Sequence, residues 1–171
     1  ATSFDGNYKG AIASFWNTVF AGLAAGDRVL DIATGNGALP QLLLQQHRDT
    51  DVSCDAVDLA PVAPAWLQPL PEALKRRIRI HGGVGAEALP FPDAAFTLVV
   101  SQYGIEYADR ARALAEVRRV LARPGEAAYV VHHAGSRPVT LAHDEISHID
   151  WLLTPGGLMD ASAAMLEPMA R

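Results

Sequence analysis

Val29-Leu30-Asp31-Ile32-Ala33-Thr34-Gly35-Asn36-Gly37 decides how this chain is read. A short apolar run, interrupted by one acid, leads into two glycines spaced one residue apart. The run predicts a buried parallel strand. The glycines allow a tight turn whose backbone can approach a ligand with no Cβ in the way. The following segment, 38–47, is rich in Leu and Gln and predicts a helix whose N-terminus faces whatever sits over the turn. Pro40 fits the first turn of a helix, where a proline forfeits no hydrogen bond. Strand, glycine turn and helix together mark a nucleotide-type site. A dinucleotide fingerprint would place a third glycine where Pro40 stands. Asp31 would also oppose a pyrophosphate, whereas it would attract a ligand that carries an ammonium.

Further along, Ala56-Val57-Asp58-Leu59 closes a second predicted strand on an acid. It lies about twenty residues past the glycines, where a carboxylate can accept both hydroxyls of a ribose. Ile78-Arg79-Ile80 alternates as a third strand and runs into Gly82-Gly83-Val84-Gly85-Ala86-Glu87-Ala88-Leu89-Pro90-Phe91-Pro92-Asp93. Phe96-Thr97-Leu98-Val99-Val100-Ser101 reads as a fourth strand. Leu114-Ala115-Glu116-Val117-Arg118-Arg119-Val120-Leu121-Ala122-Arg123-Pro124-Gly125 reads as a helix and turn before a fifth.

In this order, over 29–131, these motifs resemble those of the class I S-adenosylmethionine-dependent methyltransferases, in particular the type 11 small-molecule group. The resemblance implies an α/β fold: a doubly wound, mainly parallel Rossmann-like sheet with helices on both faces. It implies S-adenosyl-L-methionine as cofactor and a small-molecule methyl acceptor, methylated on O, N or C. By the same resemblance, Gly35 and Gly37 admit the methionine part and Asp31 holds its amino group. Asp58 takes the ribose hydroxyls, Leu59 lies against the adenine, and Ala86 and Glu87 border the base. Ala33 and Ser101 belong to the same cofactor-binding set.

The chain also departs from the family's pattern. Gly85 stands where an acid often bonds the adenine amino group, leaving Glu87 as the nearest carboxylate. Thr97 replaces a frequent Asp, and Glu126 follows Gly125 in place of a second glycine. Four prolines (61, 64, 69 and 71) fall where the family has a regular helix. An interior proline costs a helix ~3 kcal/mol, so a broken element is expected there. The stretch 154–171 lacks the β-branched and aromatic runs that would supply the family's last two strands. The sheet is therefore expected to lack them, leaving the fifth strand as an apolar edge. That edge is expected to be covered by 158–169 or by a second copy of the chain in a homodimer.

The periodicities predict helices over 11–23, 38–47, 110–122 and 139–153, and a broken one over 61–76. Strands are predicted over 28–33, 52–57, 77–81, 96–102 and 126–133. The expected organisation is an N-terminal helical lid or cap (1–25), a cofactor-binding core (26–135) and a C-terminal helical segment (136–171). Phe4, Tyr8, Phe15, Trp16 and Phe20 precede the first strand. Phe15, Trp16 and Phe20 are expected to pack a helix on the sheet.

For acceptor chemistry, Ser101-Gln102-Tyr103-Gly104-Ile105-Glu106-Tyr107 differs from the N-P-P-Y type motif used on bases or glutamine. Tyr103, Glu106, His132 and His133 are the candidate catalytic groups. On a strand the two histidines would face opposite sides, so at most one would look into the site. His143 and His148 are five residues apart, unlike the i, i+4 pair of a helical zinc motif, and no metal is expected.

Bulk properties agree with a soluble enzyme. The 171 residues make one domain, and no run approaches the ~20 apolar residues of a membrane helix. A net charge of −5 disfavours nucleic acid as a partner. Lys75-Arg76-Arg77 reads as a solvated edge. The lone Cys54 excludes an intrachain disulfide. No signal peptide is read at the start, Ala1 in place of methionine points to trimming, and a cytoplasmic location is expected. Two other readings stand beside methyl transfer. One is a cofactor-binding but non-methylating protein, or a subunit needing a partner. The other is a nicotinamide oxidoreductase, disfavoured by Asp31 and Pro40.

Overall fold

The computed structural model describes residues 10–169. In chain order it contains α1 (Ala11–Ala21), β1 (Arg28–Ile32), α2 (Ala38–Gln46), β2 (Ser53–Asp58), a 3₁₀ turn (Ala65–Leu67) and α3 (Glu72–Lys75). There follow β3 (Ile78–Gly82), β4 (Phe96–Gln102), a second 3₁₀ turn (Ile105–Tyr107), α4 (Arg110–Val120), β5 (Leu121–Val130), α5 (Arg137–Leu152) and α6 (Leu158–Met169). Among the described residues the five strands form one parallel sheet in the order β3-β2-β1-β4-β5. The chain winds outward from β1 to β3, then returns to the other side of β1 for β4 and β5. The direction reverses between β1 and β4, and it is beyond the carboxyl ends of those strands that such sheets open a crevice.

Side-chain alternation divides the core into two layers. Val29, Cys54, Ala56, Leu98 and Val100 face α1 and α2, where Trp16, Phe20, Leu39 and Leu43 pack on them. Leu30, Ile32, Val57, Phe96 and Val99 face α4 and meet Ala113, Val117 and Val120. Helices therefore cover both faces, as a parallel sheet requires. On α1, Trp16 and Phe20 are one turn apart, fully buried and stacked, whereas Phe15, expected to help pack the helix on the sheet, is 41% exposed and meets Trp16 edge-on (ring centroids 4.9 Å). Phe4 and Tyr8 lie outside the described residues.

The proline-rich segment is broken, as its composition requires: the 3₁₀ turn and α3 are its only helical pieces, separated by bends and turns. The fifth strand differs from its predicted bounds. α4 stops at Val120, and Leu121 is already extended opposite Phe96. The register then shifts, and pairing resumes with Glu126 opposite Leu98. Pro124 lacks an N–H and sits within this irregularity, the place in a sheet where proline is tolerated. β5 also ends early, at Val130, because its partner β4 ends opposite it at Gln102. His132 and His133 therefore lie past the strand, and strand alternation does not govern them.

Arg77 is not a solvated edge residue. Its guanidinium donates to the backbone carbonyls of Val52 (2.8 Å), Arg48 (3.0 Å) and His47 (2.6 Å), tying the end of α2 to β2. The chain divides into two compact units, one ending at Val131 and one beginning at His132. The second contains α5, entered with a proline in its first turn, and α6. No helix of the described residues is long and apolar enough to cross a membrane.

Candidate functional site

The turn after β1 is built by three devices. Gly35 (φ 53°) and Gly37 (φ 74°) are left-handed, which glycine adopts without steric cost. No described residue lies within 4 Å of where a Cβ on Gly35 would stand, so among the described residues that side of the turn is open. At Gly37 a Cβ would meet Trp66 at 3.1 Å and Pro64 at 3.2 Å. Gly37 thus makes room for the proline-rich segment, and the Trp66 indole donates to the Asn36 carbonyl (2.8 Å). The segment that breaks the helical pattern braces the glycine turn.

The third device is Asp58, at the end of β2. Its Oδ2 accepts from the Gly35 N–H (2.7 Å) and its Oδ1 from the Ala60 N–H (2.9 Å). A carboxylate has about four lone-pair sites, so each oxygen retains capacity for a ligand hydroxyl.

Beside this turn opens a cavity of about 340 Å³. Ile32, Ala33, Asp58 and Leu59 line it from the β1 and β2 ends, Val84–Glu87 from the loop after β3, and Tyr103, Gly104, Tyr107 and Ala108 from the segment after β4. Leu59 is 77% exposed, an apolar side chain offered to a ligand at the rim. Ala33 (φ 59°) and Tyr103 (φ 53°) are both left-handed, a conformation rare outside glycine and concentrated at functional sites. The two loops meet there: a Cβ on Gly104 would stand 2.2 Å from that of Ala33.

The β3–β4 loop is held from α4. Glu87 Oε1 accepts from the Asp109 N–H (2.8 Å), at the N-cap of that helix, while its Oε2 would lie 2.9 Å from a Cβ on Gly85. Arg119 donates to the carbonyls of Leu89 (2.9 Å) and Phe91 (2.7 Å), and also pairs with Glu116 and Asp93. Glu116 accepts in turn from the Leu89 N–H (2.7 Å). The Arg119 guanidinium holds the Glu116 carboxyl down at about 2. The helix's ion pairs thus fix the loop that borders the cavity.

Asp31 lies on the other side of β1, facing α1, and is 1% exposed. Its Oδ2 is buried with no hydrogen-bond partner among the described residues. Burial pushes its carboxyl up from 3.8 to about 7; the neighbouring Thr34 side chain pulls the other way, and the negative charge of Asp58 adds to the rise. An isolated buried carboxylate is costly, and a cation placed against it removes the cost.

Of the sequence-predicted residues, Ala33, Asp58, Leu59, Ala86, Glu87 and Tyr103 line one cavity, and Gly35 adjoins it through Asp58. Ser101 is fully buried. Its hydroxyl donates to the Ile32 carbonyl (2.8 Å) and accepts from the Ile105 N–H (3.1 Å), so it locks the β1 and β4 ends together. Glu106 lies in the second 3₁₀ turn and is not among the cavity's lining residues. His132 and His133 belong to the second unit, where His133 Nδ1 accepts from the Gly135 N–H (3.0 Å). Sequence reading missed Trp66, Gly104 and Tyr107. The G-I-E-Y run after β4 was the available signal for the latter two.

Residues 29–125, more than half of the chain, match the family described as the methyltransferase domain. The chain is similar to the uncharacterized methyltransferase YcgJ of Bacillus subtilis, with 31% identity over 145 residues covering 83% of this chain and 54% of that protein. It is 38% identical over 99 residues to the demethylmenaquinone methyltransferase of Thermus thermophilus, covering 57% and 44% respectively. The crystal structure of YcgJ superposes with a TM-score of 0.61 at 27% identity, over 88% of this chain and 64% of that one. The cyclase SpnF superposes with a TM-score of 0.60 at 25% identity, over 79% and 52%. The chain spans about half the length of the curated relatives it matches.

Proposed function

This chain belongs to the methyltransferase-domain family, and on that premise we propose that it transfers a methyl group from S-adenosyl-L-methionine to a small-molecule acceptor. The observation that carries the reading is Asp31, a buried carboxylate with an unpartnered oxygen beside an open glycine turn. A ligand with an ammonium answers that charge; a pyrophosphate aggravates it. The cavity suits the rest of such a ligand. Asp58 offers acceptor capacity for two ribose hydroxyls, Leu59 an apolar face for the base, and Ala86 and Glu87 its border.

A sulfonium supplies an already activated methyl, so the protein's work is to orient the acceptor and exclude water. Asp31 would hold the amino-acid end of the cofactor and Asp58 its ribose, and the braced turn keeps the two carboxylates in register. Of the four candidate catalytic groups, we assign Tyr103 to the acceptor side, because it lines the cavity on a strained backbone. Glu106, His132 and His133 are secondary candidates. The acceptor atom, O, N or C, is set by contacts beyond the cofactor. A cytoplasmic location fits the lone, unpaired Cys54. Pairing of two chains through the β5 edge or α6 is the assembly we propose, to be checked by light scattering.

A second reading is favoured by the likeness to SpnF, which is named a cyclase. The same cofactor site would then serve a protein that binds the cofactor without transferring its methyl. Calorimetric titration with S-adenosylhomocysteine, with NAD as control, tests both readings. Micromolar binding of the former alone supports the cofactor, and a subsequent acceptor screen separates transfer from binding. Binding of NAD alone, or of neither, overturns the proposal.

A further inference from the structure

A second polar group lies buried across the β1–β4 junction from Asp31. Asp31 is opposite Val100 in the parallel register, so Gln102, two residues on, points to the same α1-facing side. Gln102 is 8% exposed. Its Oε1 accepts a hydrogen bond from the indole N–H of Trp16, itself fully buried on α1. An indole only donates, so the amide oxygen must face Trp16 and the amide nitrogen must face away. That Nε2 is buried and has no hydrogen-bond partner among the described residues.

An unpartnered acceptor on β1 and an unpartnered donor on β4 thus share one face, at the point where the sheet reverses direction. A buried polar group left without a partner is costly, so each points to a ligand. Together they match a group that carries a cation and an anion on one carbon. We infer that Gln102 Nε2 donates to the carboxylate of the cofactor's amino-acid end while Asp31 takes its ammonium, with Trp16 as the positioning residue that fixes the amide's orientation. The assignment rests on the cofactor reading above and adds to it the residue that selects for the carboxylate. Both atoms are closed off from solvent, so the ligand's end reaches them only by displacing the side chains packed over them while the Trp16–Gln102 bond is kept.

The test compares two ligands that differ only in the carboxylate: S-adenosylhomocysteine and its decarboxylated analogue, 5′-deoxy-5′-(3-aminopropylthio)adenosine. Calorimetry and ligand-induced thermal shifts are measured on the full chain. Wild type is expected to prefer the carboxylate-bearing ligand about ten- to hundredfold, the range of a hydrogen bond to a charged group. Gln102→Met should shrink that preference to less than about threefold without weakening the analogue. Gln102→Glu keeps the acceptor for Trp16 and should weaken the carboxylate-bearing ligand alone. Trp16→Phe should give an intermediate, carboxylate-specific loss.

A wild type that does not distinguish the ligands overturns the assignment even if no variant folds. So does an equal loss of both ligands in the Gln102 variants, the outcome if the amide merely holds an internal water. A wild type that binds neither ligand overturns the cofactor reading itself, and this inference with it.

Discussion

Asp31→Asn removes a charge that the fold holds at a cost, and its effect is predicted to depend on pH in a defined direction. Burial raises the Asp31 carboxyl from 3.8 to about 7. The folded protein therefore keeps a proton that the unfolded chain releases above about pH 4. Below the unfolded value both states are protonated and nothing is lost. As pH rises toward 7, folding opposes an ionisation that the unfolded chain has already completed, and stability falls. Three pKa units at 1.36 kcal/mol each give roughly 4 kcal/mol, lost in full above about pH 7. Asparagine keeps the shape without the titration. Urea unfolding at several pH values should show the variant gaining on wild type by about 4 kcal/mol between pH 4 and pH 8. The pH-independent cost of burying an amide shifts the whole curve without changing that difference. Ligand binding should run the opposite way. An ammonium selects the ionised carboxylate, so wild-type affinity for S-adenosylhomocysteine should rise about tenfold per pH unit up to about 7, then level. At pH 6 binding should release close to one proton, measurable from the buffer dependence of the calorimetric heat. The variant should bind weakly with a flat profile. Parallel pH curves for the two proteins, in stability and in binding, would mean that Asp31 is not held protonated by burial.

Four further outcomes follow from other contacts. Asp55 is buried, paired with Arg79 (2.7 Å), Arg28 (3.1 Å) and His81 (2.9 Å), and these partners hold its carboxyl down at about 2 against the cost of burial. Its roughly 2–3 kcal/mol of stabilisation is present above about pH 4 and lost as pH falls toward 2, so Asp55→Asn should flatten that acid limb in a pH-resolved melt. Gly37→Ala puts a Cβ into a left-handed residue and against Trp66. It should cost about 1–2 kcal/mol for the backbone alone and lower the melting temperature by a few degrees. Gly35→Ala carries the same backbone cost in open space and should additionally reduce ligand affinity. Arg119→Ala frees the loop bordering the cavity, and hydrogen exchange at the Leu89 amide should quicken about tenfold while β1 amides stay protected.

The features legible from residue order alone are local. Alternation and apolar runs predicted four of the five strands to within a residue, and the presence but not the bounds of β5. The four prolines forecast the broken segment, and the acids at the ends of β1 and β2 marked the ligand side of the sheet. These features depend on neighbours a few residues apart, where backbone sterics and periodicity act. The tertiary structure decided what each group touches. The order β3-β2-β1-β4-β5 brings Trp16 to Gln102, 86 residues away, and turns an unremarked glutamine into half of a buried polar pair. It sets Asp58 against Gly35, Arg77 against the end of α2, and Ser101 between two strand ends rather than in the cavity. It also ended β5 at Val130, because the partner strand stops there although the apolar run continues. A side chain's charge state and bonding are set by burial and by partners that sheet register selects, and register joins residues that no local pattern relates.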